Sequence, residues 1–336
     1  MVAICNNVRW NYTGLEEVAD SWVTKMRALN SQYSYKSSWW SYVFSLSNKI
    51  QLTIESFING TYNFGPMLTF RLSGKIITSW EYSDRLILKF LHKIIQPVFN
   101  KIILSNCFHL KGPSGIKDTV NFVNQALESE SYRYCIRADI KSYYASIDHE
   151  ILVKQLRQHF DDPRIRKYLE DIVTIAIDDA GKVSLPKIGI PKGSSLSPLF
   201  GALYLSELDR AFDNNTGISY CRFMDDIVIL AKTKRQYLRA KRRFQQILIN
   251  LKLKLSRSKT RMGEITKGFH FLGINFAVSR NTANNKIHVM TSLHSRTCRR
   301  ALDKINAMEE GAVNPVKVLR YLSRWAAWWA RTTQGI

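Results

Sequence analysis

Residues 221–230 read Cys221-Arg-Phe-Met-Asp225-Asp226-Ile-Val-Ile-Leu230, and the rest of the chain is best read outward from them. Two adjacent aspartates stand between apolar, strand-forming runs, where burying a charge is expensive unless it is paired or coordinates a metal. A tight hairpin over 218–230 with both aspartates at its turn satisfies that pattern. Neighbouring side chains along a strand point to opposite faces, so the two carboxylates cannot do the same job. One faces a shared site and the other sits beside it. An isolated Asp-Asp usually marks a solvated turn, but Phe223-Met224 before it and Ile227-Val-Ile-Leu230 after it make that reading the weaker one.

A second carboxylate of the same kind ends another apolar run, Tyr132-Arg-Tyr-Cys-Ile-Arg-Ala-Asp139-Ile140, which reads as a strand. Two such strands side by side would bring Asp139 and Asp225 together. Carboxylates that close repel one another, and Mg²⁺ relieves the repulsion while recruiting substrate phosphates. A pair of such ions about 3.5–4 Å apart can activate a hydroxyl and stabilise the leaving oxygen of a phosphoryl transfer.

The composition agrees. Across 336 residues, 49 Lys and Arg against 27 Asp and Glu leave +22, a surplus that points to polyanionic partners. Hydrophobic residues at 45% supply a sizeable core and exclude a disordered or fibrous chain. The five cysteines (5, 107, 135, 221 and 298) form no CxxC and have no His at metal-ligand spacing. They fit reduced core residues in a cytoplasmic setting. The N-terminus does not read as a signal peptide, and no apolar run is long enough to span a membrane.

Helical spacing and caps predict helices over 84–99 (capped by Asp84), 119–127, 148–160 (capped by Asp148), 196–212 and 233–251, with two more at the C-terminus. Strands are expected near 269–276 and 286–290, and residues 186–193 form a Pro/Gly loop. Residues 1–50, with Trp39-Trp40, carry no assignable motif. Strands and helices without a regular βαβ rhythm make the class α+β.

In order, Asp139-(x)4-Tyr144, Pro191-Lys-Gly193-Ser-Ser-Leu-Ser197-Pro198, Phe223-Met-Asp225-Asp226, Leu255-Ser-Arg-Ser-Lys259-Thr and Phe271-Leu-Gly273-Ile resemble the palm motifs of reverse transcriptases. The resemblance covers about residues 55–335. It implies a right-hand polymerase: an N-terminal extension (1–50), fingers (51–130), a palm of antiparallel sheet plus helices (131–280, with an insertion about 161–192) and a helical thumb (281–336). It implies RNA-directed DNA synthesis with two Mg²⁺ ions, an RNA template, a DNA primer and dNTPs.

By the same resemblance Asp139 and Asp225 are the metal ligands, with the Ile140 carbonyl, and Asp226 is the less direct third carboxylate. Tyr144 matches the steric gate that excludes a 2′-hydroxyl. Gly193 lies in the loop that shapes the nascent base pair. Lys192 stands where the family usually has Gln, with a charge suited to a phosphate. Lys259 matches a lysine near the triphosphate, either as general acid or as phosphate contact. Lys75 and Arg85 are candidate triphosphate contacts from the fingers. Phe271, Leu272 and Gly273 match the primer grip.

From Lys232 to Arg261 the chain carries twelve Lys or Arg and no Asp or Glu, a phosphate-tracking tract that includes Lys241, Arg242 and Arg257. Arg299 and Arg300 precede a Trp-rich segment like the thumb helix. Trp325 and Trp329, at i and i+4, are expected to pack in a core. The signatures of retron and diversity-generating enzymes are missing, and the length leaves no room for maturase or RNase H regions. That points to the stand-alone bacterial enzymes, many linked to phage defence and paired with a noncoding RNA. Two rivals stay open: a catalytically idle RNA-binding scaffold, and a polymerase that works without a template or primes from its own side chain. Oligomeric state cannot be read from the sequence.

Overall fold

The computed structural model describes residues 12–30, 46–72, 74–110, 112, 115–129, 132–191, 193–280, 287–311 and 314–333. The expectations for Cys5, Trp39-Trp40 and Lys192 fall outside them. The chain begins with α1 (Tyr12–Asn30), α2 (Leu46–Ile58), β1 (Met67–Leu72), β2 (Lys75–Ser79), α3 (Tyr82–Ile102), α4 (Gly115–Ser129) and β3 (Tyr134–Asp139). Next come α5 (Tyr143–Ser146), α6 (His149–Arg157), α7 (Pro163–Val173), β4 (Ile177–Asp179), β5 (Lys182–Ser184), α8 (Ser197–Tyr204) and α9 (Ser206–Phe212). It continues with β6 (Ile218–Phe223), β7 (Asp226–Ala231), α10 (Lys234–Asn250), β8 (Arg261–Glu264), β9 (Phe269–Phe271), β10 (Ile274–Arg280), β11 (Ile287–Leu293), α11 (Ser295–Glu310) and α12 (Pro315–Thr333). The class is α+β. None of the described helices is long and apolar enough to cross a membrane.

Two compact units result, one from the chain up to Ile103 with Ser142–Tyr204, the other from Leu104–Lys141 with Leu205 onward. In the first, the hairpin β1–β2 is joined by β4 in parallel, and β5 follows, giving the order β2-β1-β4-β5. Its core holds Phe57, with Tyr168 stacked 5.0 Å away and Phe90 at 5.8 Å. The Tyr168 hydroxyl donates to the Phe57 carbonyl (2.9 Å), so the buried phenol keeps a partner. Asp148 caps α6 through the Ile151 N–H (3.2 Å), as its position before the apolar run predicts.

The second unit carries the informative sheet, with order β6-β7-β3-β8 and every pairing antiparallel. Its core gathers Val120, Val123 and Leu127 of α4 with Cys221, Val228 and Leu230 of the sheet and Phe271, Ile274 and Phe276 of β9–β10. Trp329 packs against that cluster. The basic helix α10 starts at a full capping box, Thr233 with Gln236. It buries Ala240, Phe244, Ile247 and Leu248, and so turns its charges outward. Cys107, Cys135 and Cys221 are buried and form no disulfide among the described residues.

Two expectations need correction. Asp84 does not cap its helix: Glu81 is the N-cap residue, and Asp84 is buried in the first turn, where the Tyr62 hydroxyl donates to it (2.6 Å). The helix expected over 196–212 is two, because the backbone departs from helical geometry at Leu205 (φ −93°, ψ 5°). The apolar periodicity runs straight through that break and conceals it.

Candidate active site

The hairpin β6–β7 closes on Phe223 opposite Asp226, leaving Met224 and Asp225 as its two loop residues. β3 lies antiparallel against β7, and the register sets Asp139 opposite Asp226. Cross-strand partners share a face of the sheet, so Asp226, rather than Asp225, stands beside Asp139 on the ladder. Asp225 projects from the turn. Leu255 bridges to Ile140, and the Ser256 N–H donates to the Asp139 carbonyl (2.8 Å). The end of β3 is thereby fixed on both sides.

Burial pushes the Asp225 carboxyl above the usual carboxylate range, and the Asp139 charge adds to the shift. Burial likewise raises Asp226, to about 6, even though Arg137 opposes the shift. Arg137 Nη2 donates to Asp226 Oδ1 at 2.8 Å, and Lys259 Nζ lies 3.1 Å from Asp139 Oδ1. Desolvation and mutual repulsion are incompletely answered by these two cations. A further cation would relieve both.

Divalent ions fit this donor chemistry. Carboxylate oxygens and a backbone carbonyl are hard ligands, and Mg²⁺ is usually held by one or two carboxylates plus substrate phosphates and water. Among the described residues no three His, Cys, Asp or Glu side chains form a ready metal shell, consistent with Asp226 being turned to Arg137. Asp139 and Asp225, with the Ile140 carbonyl, are the residues that would hold the ion.

Residues 74–276 match the family model described as reverse transcriptase (RNA-dependent DNA polymerase). The chain belongs to the reverse transcriptase family. It is 24% identical to Protein YkfC of Escherichia coli (strain K12), over 52% of this chain and 55% of that one. It is 21% identical to the Group II intron-encoded protein LtrA of Lactococcus lactis subsp. cremoris, over 48% of this chain and 28% of that one. The chain therefore spans about half the length of YkfC and less of LtrA. A solved structure of apo telomerase from Candida tropicalis, truncated from its C-terminal domain, is similar over 67% of this chain and 54% of its own, at 14% identity and a TM-score of 0.48.

The remaining reverse transcriptase motif residues divide between the units. In the first, Tyr144 is half-buried in α5, its ring 5.5 Å from that of Tyr143. Arg85 and Gly193 line one cavity of about 320 Å³ with Trp22, Trp80 and Lys89. Gly193 has φ +87° and open space where a Cβ would be, so its backbone is bare. Arg85 is engaged locally, donating to the Trp80 carbonyl (2.9 Å) and lying over the Tyr82 ring. Lys75 opens β2 opposite Leu72.

In the second unit Phe271 is buried and ends β9. Leu272 and Gly273 form a two-residue turn into β10 with φ +50° and +83°. Positive φ at both positions suits the primed turns that match strand twist. Arg242, Arg257, Arg299 and Arg300 are exposed, and Lys241 is half-buried.

Four residues at the aspartate turn escape a motif reading: Arg137, Arg222, Asp209 and His109. Arg222 is wholly buried and paired with Asp209 (2.6 Å). The only signal for it, as for Arg137, is an arginine placed inside an otherwise apolar strand.

Proposed function

We propose that the chain is an RNA-directed DNA polymerase. It would join the primer 3′-oxygen to the α-phosphorus of a dNTP, with the bond to the β-phosphate breaking and pyrophosphate leaving. The observation that carries the reading is the cluster of buried Asp139 with partly buried Asp225 and Asp226 at one end of an antiparallel sheet, where desolvation raises the pKa of Asp225 and Asp226.

In this reading Asp139, Asp225 and the Ile140 carbonyl hold the ions, with Asp226 behind them. Two bound Mg²⁺ would supply an activated hydroxyl and a stabilised leaving oxygen. Tyr144 excludes the ribose 2′-hydroxyl. Lys192, Gly193, Lys75 and Arg85 orient the triphosphate, and Lys259 serves the leaving pyrophosphate. Phe271, Leu272 and Gly273 hold the primer end. Lys241, Arg242, Arg257, Arg299 and Arg300 bind the phosphate backbone of template and product.

The division into extension, fingers, palm and thumb follows the same reading, in a right-hand polymerase. The surplus of +22 supports a nucleic-acid partner, a dedicated noncoding RNA and a cytoplasmic setting being part of the proposal. A role in phage defence is part of the proposal. Purified protein with Mg²⁺, dNTPs and a primed RNA should extend the primer, and Asp225→Ala should abolish extension while RNA binding persists. Extension by Asp225→Ala at the wild-type rate would overturn the assignment. RNA binding with no extension by wild type would favour the idle scaffold.

A further inference from the structure

The turn that carries Asp225 is strained and is gripped from both sides. Met224, the first of its two loop residues, has φ +56°, a conformation that L side chains rarely adopt and that glycine would normally supply in a two-residue hairpin. Both backbone groups of Met224 are taken by side chains. Its N–H donates to His109 Nδ1 (3.2 Å), and its carbonyl accepts from Arg222 Nη1 (3.2 Å).

Arg222 is itself immobilised. Its Nε and Nη2 donate to the two oxygens of Asp209, each at 2.6 Å, and the Tyr220 hydroxyl donates to the same carboxylate (2.7 Å). The Arg222 N–H donates to the Asn106 carbonyl (3.0 Å), and Asn106 Nδ2 donates to the Asp209 carbonyl (3.4 Å). These bonds tie β6 to α9 and to the segment 104–110 that also carries His109. The His109 ring meets the Phe223 ring edge-on at 6.1 Å.

A fold that needed only packing here would gain from apolar residues, since replacing a buried ion pair by well-packed hydrophobics is often neutral or stabilising. The arginine instead sends its remaining nitrogen to the carbonyl beside Asp225. Two forces act to relax the turn: the positive φ of Met224, and the repulsion between the Asp139 and Asp225 charges. Fixing both peptide groups of Met224 opposes both and sets the direction in which Asp225 leaves the turn.

We infer that His109 and Arg222 are positioning residues that hold the Met224–Asp225 turn ready for a divalent cation. This rests on reading Asp225 as a metal-binding carboxylate. A preorganised ligand costs no rearrangement when the charge arrives.

The test uses the full chain with four variants: His109→Ala, His109→Asn, Arg222→Lys and Asp225→Ala. Folding is followed by circular dichroism and melting, Mn²⁺ binding by electron paramagnetic resonance, and primer extension by kcat and by KM for dNTP. His109→Ala should stay folded, bind Mn²⁺ about tenfold more weakly and lose about ten- to hundredfold in kcat, the scale of a small misplacement, with KM little changed. Arg222→Lys keeps a charge for Asp209 but loses the planar fork, and should show the same split. His109→Asn restores an acceptor near the place of Nδ1 and should recover Mn²⁺ binding and kcat. With Asp225→Ala inactive, wild-type Mn²⁺ binding and kcat in folded His109→Ala would overturn the clamp, as would an Asn variant no better than Ala. If Asp225→Ala itself binds Mn²⁺ and extends primers normally, the reading of the site fails first.

Discussion

Lys259 Nζ lies 3.1 and 3.3 Å from the two carboxylate oxygens of Asp139. The lysine follows the tract Leu253–Ser258 in a short 3-10 turn and remains half exposed, whereas the Asp139 side chain is 11% exposed. An ammonium therefore occupies ground that a metal ion would contest.

Removing that competitor should separate binding from turnover. Lys259→Met is expected to tighten Mn²⁺ binding severalfold in a resonance titration. It should slow primer extension about tenfold or more, because the proton donor or phosphate contact is lost as well. Weaker Mn²⁺ binding in Lys259→Met would show that the ammonium supports the metal site instead of competing for it.

If Tyr144 is the sugar gate proposed above, selection depends on where its ring stands, and Gly201 of α8 packs against that ring. A Cβ on Gly201 would lie 3.2 Å from Tyr143 Cε1 and 3.3 Å from Tyr144 Cε1, closer than ordinary contact. The Tyr143 hydroxyl also donates to the Gly201 carbonyl, so the Tyr143 ring has little room to yield. Tyr144→Ala should raise rNTP incorporation relative to dNTP. Gly201→Ala should change the same ratio through a displaced ring while the protein stays folded. Competition between rATP and dATP in primer extension measures both, and an unchanged ratio in Tyr144→Ala would remove the gate.

Asp84 gives the fold a pH signature independent of the aspartate turn. Burial raises its carboxyl to about 6, against the opposing hydrogen bond from Tyr62. The unfolded chain holds that proton only below about 4, so between about 4 and 6 the folded state binds more protons than the unfolded one. Stability from this group is then greatest at the acid end of the window and falls as pH rises through 6. Asp84→Asn should flatten that dependence by roughly 1 kcal/mol between pH 5 and pH 7, because pH 5 lies only about one unit below the raised value. Urea unfolding at pH 5 and pH 7 reads the difference. An equal pH dependence in the variant would assign it elsewhere, Asp226 being the next candidate because burial raises it in the same direction.

The hairpin bearing Asp225 and Asp226, the partner strand ending at Asp139 and the cap at Asp148 were legible because each is local. A charge at the end of an apolar run needs no distant partner to be recognised, whereas a carboxylate before a helical stripe can lie inside the first turn instead of capping it, as Asp84 does. The hairpin β1–β2 left a weaker trace: Leu68-Thr-Phe70-Arg-Leu72 alternates but Ile76-Ile77 does not, and Leu68, Phe70, Ile76 and Ile77 are exposed, so the apolar residues mark no core face. The break at Leu205 was hidden for the opposite reason, since nearly every residue of α8 is buried and the apolar pattern has no free face to interrupt. Arg222 and His109 were out of reach because their meaning lies in Asp209 and Met224, residues 13 and 115 positions away.

The basic helix offers the last prediction, through its salt dependence. The capping box at Thr233 fixes where α10 begins, and the buried stripe Ala240, Phe244, Ile247 and Leu248 fixes how it rolls. Arg235, Arg239 and Arg242, spaced i, i+4 and i+7, are all exposed and so line one outward face. If that face follows a phosphate backbone, each arginine displaces about 0.7–0.9 counterions. The triple change to Ser should therefore flatten the plot of log K against log salt by about two to three. The core stripe is untouched, so melting should shift little. Filter binding of a primed RNA from low to moderate salt supplies the slope. An unchanged slope with wild-type affinity would turn this face to solvent and leave duplex tracking to Arg257, Arg299 and Arg300.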